Sequence, residues 1–335
     1  MISTENIQND LFQRIKESRT SEVSFVDEIS DLLNISIDSA YRRLRGETAL
    51  TLSEIKKICN NYHLSIDSFL NVKSDSIIFN YKWAIPEEFE YTAYLRAILK
   101  DMDIITSFGD NEMIFHAKDF PMLYNFLIPE IGEFKGFFWQ KTVLQKEHFR
   151  NKKFDVDQLS NENIKLGYEI AKKYTQVSSS ELWNDEIFNS ILRQVEYYHE
   201  SDYMSSYKDT ETLLDKVDQL ISHFQLQAEK GSKFLINKDG EDHPKNLKLY
   251  YNEVIIGDNT LLFRSGEDKI IYKAHNIISS IATRDKDFCD HTWDIKQNLI
   301  SHSTLISSNA EKERIKFFNR LRRKVSRLRN KLLEE

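Results

Sequence analysis

Arg42, Arg43 and Arg45 stand close together on a short segment that opens with the hydroxyls of Ser36 and Ser39 and includes Tyr41. A guanidinium presents a planar fork of donors that fits a phosphate or the O6/N7 edge of a guanine, and a hydroxyl can serve either partner. The chemistry these six residues offer is therefore recognition of a polyanion or of base edges, with no bond made or broken. Elsewhere the run RDKDFCDHTWD gathers Asp285, Asp287, Cys289, Asp290, His291 and Asp294, which are metal-ligand types. Their spacing matches no ligand pattern and reads as the solvated start of a helix. Glu87, Glu88 and Glu90 read as an acidic first helical turn. Ser308 and Glu311 stand in capping-box spacing at the head of a helix, where anions bind readily, although a plain cap is the simpler account. His275 and His302 read as structural or surface residues. The chain contains no HEXXH, P-loop, GxSxG or GxGxxG motif. No catalytic residue, metal or cofactor is expected.

The arginine cluster needs elements to position it. In SFVDEISDLLNIS, Val26, Ile29, Leu32 and Leu33 recur at helical spacing, and Asn34 closes the segment because Asn tolerates the left-handed conformation. Ser36 can cap the next helix, Ile37 to Arg45. Its inward stripe is expected to be Ile37, Ala40, Tyr41 and Leu44, with Arg42, Arg43 and Arg45 on the surface and Gly46 as the stop. Thr51 and Glu54 form a capping box ahead of Ile55 and Ile58. Ser65 caps a last turn carrying Phe69 and Leu70. Upstream, residues 3–19 form a first helix capped by Ser3 or Thr4, with Ile7, Leu11, Phe12 and Ile15 on its apolar face.

This order of signals resembles the helix-turn-helix core of the Xre/Cro/C1 repressor family. ISDLLNIS is similar to that family's second helix and turn, SAYRRLRGE to its recognition helix, and LTLSEIKKICNNYHLSIDSFL to its fourth and fifth helices. The sequence departs from the family pattern at Ser30, where a small Ala is usual, at Asn34, where the turn Gly is usual, and at Arg43, where an aliphatic residue is often buried. Leu44 is expected to take that last role. The resemblance covers about a fifth of the chain and implies a five-helix domain over residues 1–72 that binds double-stranded DNA. Its expected DNA-contacting residues are Ser36, Ser39, Tyr41, Arg42, Arg43 and Arg45.

A chain of 335 residues exceeds one small domain. With 40% hydrophobic residues, 21 Phe, 15 Tyr, only 9 Gly and 4 Pro, the remainder has material for a second packed core. Two cysteines, Cys59 and Cys289, form no redox or metal motif, and Cys59 is expected on the inner face of its helix. The start of the chain is polar and no long uncharged apolar run occurs, so a cytoplasmic protein without a membrane span is expected. The net charge is -7. Residues 1–72 carry 8 Lys/Arg against 11 Asp/Glu, whereas residues 311–335 carry 10 against 4. Non-specific DNA affinity should therefore be modest and local contacts decisive.

After a polar link at 73–76, a larger α/β domain is expected over residues 73–335. Ser76–Lys82 and Glu112–Ala117 read as strands. Helices are expected from Pro86 through Phe108, at Phe120–Leu127, Asn161–Tyr174, Ser180–Tyr198 and Thr210–Glu229. Gly136–Leu144 is open between strand and helix, 145–158 reads as a connection and 230–245 as a loop. Leu247–Ile256, Thr260–Arg264 and Lys269–Ala274 read as a three-stranded meander joined by turns at Gly257-Asp258-Asn259 and Ser265-Gly266-Glu267-Asp268. A basic helix over about 309–333 ends the domain. Its seam, Phe318, Leu321, Val325, Leu328 and Leu332, alternates by three and four, which suits a helix docked on the body or paired with its twin, and its basic face could touch DNA flanks or the acidic middle of the chain.

These readings together describe a DNA-binding transcriptional regulator. The expected organisation is a homodimer held partly by helices outside the headpiece, by the apolar faces of Ser180–Tyr198 and Thr210–Glu229 or, as the sharper expectation, by the C-terminal seam, and its large domain oligomerises or senses an unknown small-molecule or protein effector. Another class remains open: an enzyme or adaptor whose activity lies in the large domain and whose headpiece localises it. Convergent titratable groups in a deep pocket would favour the enzyme. An apolar, aromatic-lined pocket would favour the sensor.

Overall fold

The computed structural model describes residues 4–18, 24–62, 64, 66, 76–81, 88–238, 244–253, 259–275 and 279–333. The expected caps at Ser3 and Ser65, the turn at Phe69 and Leu70, most of the 73–76 link, Pro86 and the Gly257-Asp258 turn lie outside them. The chain divides into two compact units, Met1–Ile78 and Phe79–Glu335.

In the first unit four helices are described: α1 (Thr4–Ser18), α2 (Phe25–Leu33), α3 (Ile37–Leu44) and α4 (Leu52–Asn61). Their core is Leu11, Phe12, Ile15, Phe25, Ile29, Leu33, Ala40 and Ile58, flanked by Val26, Leu32 and Leu44. Asn34 adopts the left-handed conformation, φ 57°, that turns α2 into α3. Ser30, in place of a small apolar residue, is buried, and its hydroxyl donates to the Ile35 carbonyl at 2.6 Å. That bond satisfies the hydroxyl and ties the turn. Cys59 is only half-buried; Ile58 takes the inward position.

The second unit is a mixed eight-stranded sheet with helices on both faces. Its strands are β1 (Asn80–Tyr81), β2 (Asn111–His116), β3 (Ser178–Trp183), β4 (Leu247–Tyr251), β5 (Thr260–Ser265), β6 (Asp268–Ala274), β7 (Ser280–Thr283) and β8 (Thr304–Leu305). They lie in the order β1-β7-β6-β5-β2-β3-β4-β8, with β2, β3 and β4 parallel and the other pairs antiparallel. The helices are α5 (Tyr91–Ser107), α6 (Pro129–Phe138), α7 (Asn161–Tyr174), α8 (Asn189–Glu200), α9 (Tyr207–Lys230), α10 (Lys286–Ser301) and α11 (Glu311–Leu333). A 3₁₀ turn at Met122–Leu127 precedes α6, and a π-turn at Trp139–Val143 follows it, so the ambiguous Gly136–Leu144 stretch is helical. One sheet face, with Met113, Trp183, Leu249 and Phe263, carries the large aromatic core. The other, with Ile114, Leu182, Leu262 and Ile271, is covered by Cys289 and Ile300 of α10.

Three expectations fail here, each for a physical reason. Ser180–Trp183 is strand, not helix. As the centre of a parallel ladder it is buried on both faces from Ser179 to Trp183, so it lacks the alternation that marks a strand. The Leu247 strand does not form a meander with Thr260; it pairs with β3 and β8, and the hairpins join β5, β6 and β7. The Ser265–Asp268 hairpin does form, with Gly266 at φ +56°. Finally, the seam of α11 faces inward. Phe318, Leu321, Val325, Leu328 and Leu332 are buried in the chain's own core, against α9 and α8. Its basic flank is engaged in the same way, Arg320 on Asp185, Arg329 on Asp215, and Lys331 on Glu196 and Glu200.

A candidate nucleic-acid interface

Helix α3 begins where Ser36, in extended backbone, accepts from the Ser39 amide at 3.3 Å; the Ser36 hydroxyl also donates to that of Ser39 at 3.0 Å. It ends at Arg45, and Gly46 follows at φ +78°, a conformation open to glycine. The next helix is fixed by the expected capping box: Thr51 accepts from the Glu54 amide, and the Glu54 carboxylate accepts from the Thr51 amide at 2.8 Å. Gln8 of α1 completes the frame. Its Nε2 donates to the Arg43 carbonyl at 2.7 Å and the Thr48 carbonyl at 3.0 Å, and its Oε1 accepts from the Leu50 amide at 2.9 Å. The sequence does not single out Gln8, because its role depends on contacts distant in the chain.

The inward stripe of α3 differs from expectation. Ala40 is buried and Leu44 half-buried, but Ile37 and Tyr41 are 53% and 49% exposed. The middle arginine is the other correction. Arg43 is not a surface residue: its side chain is 15% exposed and lies against Glu54 at 2.8 Å, with a further bond from Nη1 to the Ser39 carbonyl at 3.2 Å. Arg43 itself thus occupies the position against α4 that an aliphatic residue would fill, and Leu44, only half-buried, does not replace it there. Arg42 and Arg45 remain exposed, at 55% and 59% of their side chains. Both approach Glu47, Arg45 Nε at 3.0 Å and Arg42 Nε at 4.0 Å. Such exposed pairs contribute little and give way easily to a stronger anion. Burial pushes the Glu54 carboxyl up, but the bonds from Thr51 and Arg43 outweigh it and hold the group below the ordinary carboxylate range.

Of the acidic run, Asp285 caps α10, Asp290 pairs with Lys269 and Lys286, and Cys289 is buried with its thiol pushed up to about 11, chiefly by burial. Among the described residues no group of three or more His, Cys, Asp or Glu is placed to hold a metal ion. Ser308 does not cap α11; its backbone lies at φ 62° and its amide donates to the Ala228 carbonyl. Arg314 instead donates to the Ile306 and Asn309 carbonyls.

Two further features were not expected. A surface cleft of about 320 Å³ is lined by Phe126, Leu127, Ile128, Tyr168, Leu235 and Ile236, with the Lys216–Glu130 ion pair at 3.0 Å beside them. In the core, the Glu181 carboxylate is wholly buried and accepts from Tyr124, Tyr174, Ser179 and Trp183. Lys233, also wholly buried, donates to the Ser179 hydroxyl at 3.1 Å and lies 4.1 Å from the Tyr174 ring centroid.

A capped helix carrying exposed guanidinium groups, set by a left-handed turn on a supporting helix, defines the first unit as a helix-turn-helix. Residues 3–78 match the model of the BetR domain, a helix-turn-helix-type DNA-binding family. No curated protein and no solved structure matches the chain. Among the described residues no helix is long and apolar enough to cross a membrane.

Proposed function

We propose that the protein is a sequence-specific transcriptional regulator of the Xre/Cro/C1 type, working in the cytoplasm as a homodimer. The observation that carries this reading is the outward presentation of Arg42 and Arg45 on α3, in a segment that matches a DNA-binding domain family. In this reading Ser36, Ser39, Tyr41, Arg42 and Arg45 touch double-stranded DNA, while Arg43 positions the helix that carries them. One such helix reads only a few base pairs, and the acidic headpiece adds little phosphate affinity, so two headpieces on half-sites about one helical turn apart supply the specificity. Because the seam of α11 is occupied within its own chain, the dimer contact lies elsewhere. The large domain is the sensing or oligomerising part, and the cleft at Phe126–Ile128, where apolar and aromatic side chains meet Glu130, Lys216, Gln219 and Asn237, is the place for an effector in this reading.

Selection of bound duplexes from a random pool with the full-length protein tests this directly. The expected result is an enriched inverted repeat whose binding is lost in the Arg42→Ala, Arg45→Ala variant. Recovery of no enriched sequence overturns the reading.

A further inference from the structure

We infer that Ile37 and Tyr41 form an apolar reader for the 5-methyl group of a thymine in the major groove; this inference rests on the DNA-binding reading of the headpiece. Ile37 and Tyr41 stand one helical turn apart on α3, and so share a face. Arg45 continues that face a turn further on. Both side chains are about half exposed, although each is large and apolar in its body. The fold does not require them there. The headpiece core is filled by Leu11, Phe12, Ile15, Ile29, Leu33 and their neighbours, and Ala40 is the buried contribution of α3. Nor does helix propensity favour the choice, since a β-branched residue such as Ile37 is a weaker helix former than the straight-chain alternatives.

The surroundings decide the occupant. The patch lies beside two exposed guanidinium groups, Arg42 and Arg45. An apolar protein partner would have to desolvate both, whereas duplex DNA offers phosphates and guanine edges to the arginines and a methyl group to the apolar pair. The thymine methyl is the apolar group on the major-groove edge of a base pair. Residues at the N-terminal part of a recognition helix are those that reach base edges, and Ile37 is the first residue of α3.

The test uses the full-length protein and the duplex recovered by selection, with each thymine replaced in turn by deoxyuridine, which removes the methyl and nothing else. Wild-type protein should lose about fourfold in affinity at one or two positions per half-site, the value expected for one buried methyl. Ile37→Ala or Tyr41→Ala should bind the thymine duplex more weakly and show no further loss on the deoxyuridine duplex. The inference is overturned if no deoxyuridine substitution weakens the wild type. It is equally overturned if both variants remain as sensitive to the methyl as the wild type. The wild-type arm needs no variant to fold. Failure of the wild type to bind any selected duplex defeats the DNA-binding reading and this one with it, whereas binding without methyl sensitivity defeats this one alone.

Discussion

The Arg43 guanidinium meets the Glu54 carboxylate at 2.8 Å, and this contact joins α3 to the capping box of α4. One carboxylate thereby caps one helix and anchors another. The arginine that looks most central in the cluster serves the fold, and its neighbours are the ones left facing outward.

Arg43→Ala should therefore destabilise the headpiece by about 1–3 kcal/mol, at the low end because the pair is partly solvated. Arg42→Ala should leave stability unchanged. Glu54 is held below its ordinary value in the folded state, so its contribution is complete above the unfolded value and is lost as pH falls through the folded one. Thermal melts of a 1–78 fragment near pH 7 and near pH 3 check both points, provided the wild-type fragment folds. A variant lacking Arg43 should show a smaller acid-induced loss.

Glu47 lies beside both exposed arginines, 3.0 Å from Arg45 and 4.0 Å from Arg42. Bound DNA must displace it. Glu47→Gln should tighten binding to unselected duplex DNA and steepen the salt dependence, while Arg42→Ala or Arg45→Ala should cost about 1–3 kcal/mol at a guanine contact. Titrations at several salt concentrations separate these outcomes. Weaker binding by Glu47→Gln would mean that the carboxylate itself contacts a base.

Much of the headpiece was legible because its signals are local. The Ser36 cap, the Thr51–Glu54 box and the left-handed Asn34 each depend on residues a few positions apart. The exposure of Ile37 and Tyr41 and the withdrawal of Arg43 were not legible, because they depend on how α3 seats against the other helices and Glu54 lies eleven residues away. In the large domain, helices such as Asn161–Tyr174 could be read from their periodicity. Strand β3 could not, since burial on both faces removes its alternation. The seam of α11 was legible as a seam, but three–four alternation does not say whether its partner is another chain or, as here, α9 of the same one.

That placement changes what the C-terminal helix should do when it is altered. Leu321 is fully buried in the main core, so Leu321→Ala should destabilise the large domain by about 2–5 kcal/mol. Deleting residues 315–335 should uncover the apolar face of α9 and abolish cooperative unfolding, rather than convert a folded dimer into a folded monomer. Thermal melts and sedimentation of the truncated protein distinguish the two; a folded, soluble monomer would return the seam to the subunit interface.

The buried Lys233 gives a prediction with a defined pH window. Its ammonium is fully enclosed, with a hydroxyl and a tyrosine face as its near neighbours, while the partner charge on Glu181 is saturated by four other donors. Burial lowers the lysine to about 7, against the raising effect of Glu181. In the unfolded chain it titrates near its ordinary value of about 10.4. Between those values the unfolded state binds a proton that the folded state has released, so stability rises with pH across the interval. Below about 7 both states are protonated and the burial cost is fully present. From about 8.5 an opposite effect begins, because burial holds the Cys289 thiol protonated up to about 11 while the unfolded thiol ionises, and above about 10 the buried Tyr124 and Tyr174 add to it; each is smaller than the lysine effect at pH 9. The useful window is therefore between neutrality and the tyrosine range. All four tryptophans fall within residues 79–335, so fluorescence follows the large domain selectively. Urea unfolding of the wild type should show a higher midpoint at pH 9 than at pH 7. Lys233→Met, which keeps the bulk and removes the charge, should flatten that rise and leave the domain folded. Glu181→Ala should be destabilising by about 3 kcal/mol or more, since it leaves four buried donors without their acceptor. An unchanged pH profile in Lys233→Met would show that the lysine does not change its protonation in this interval.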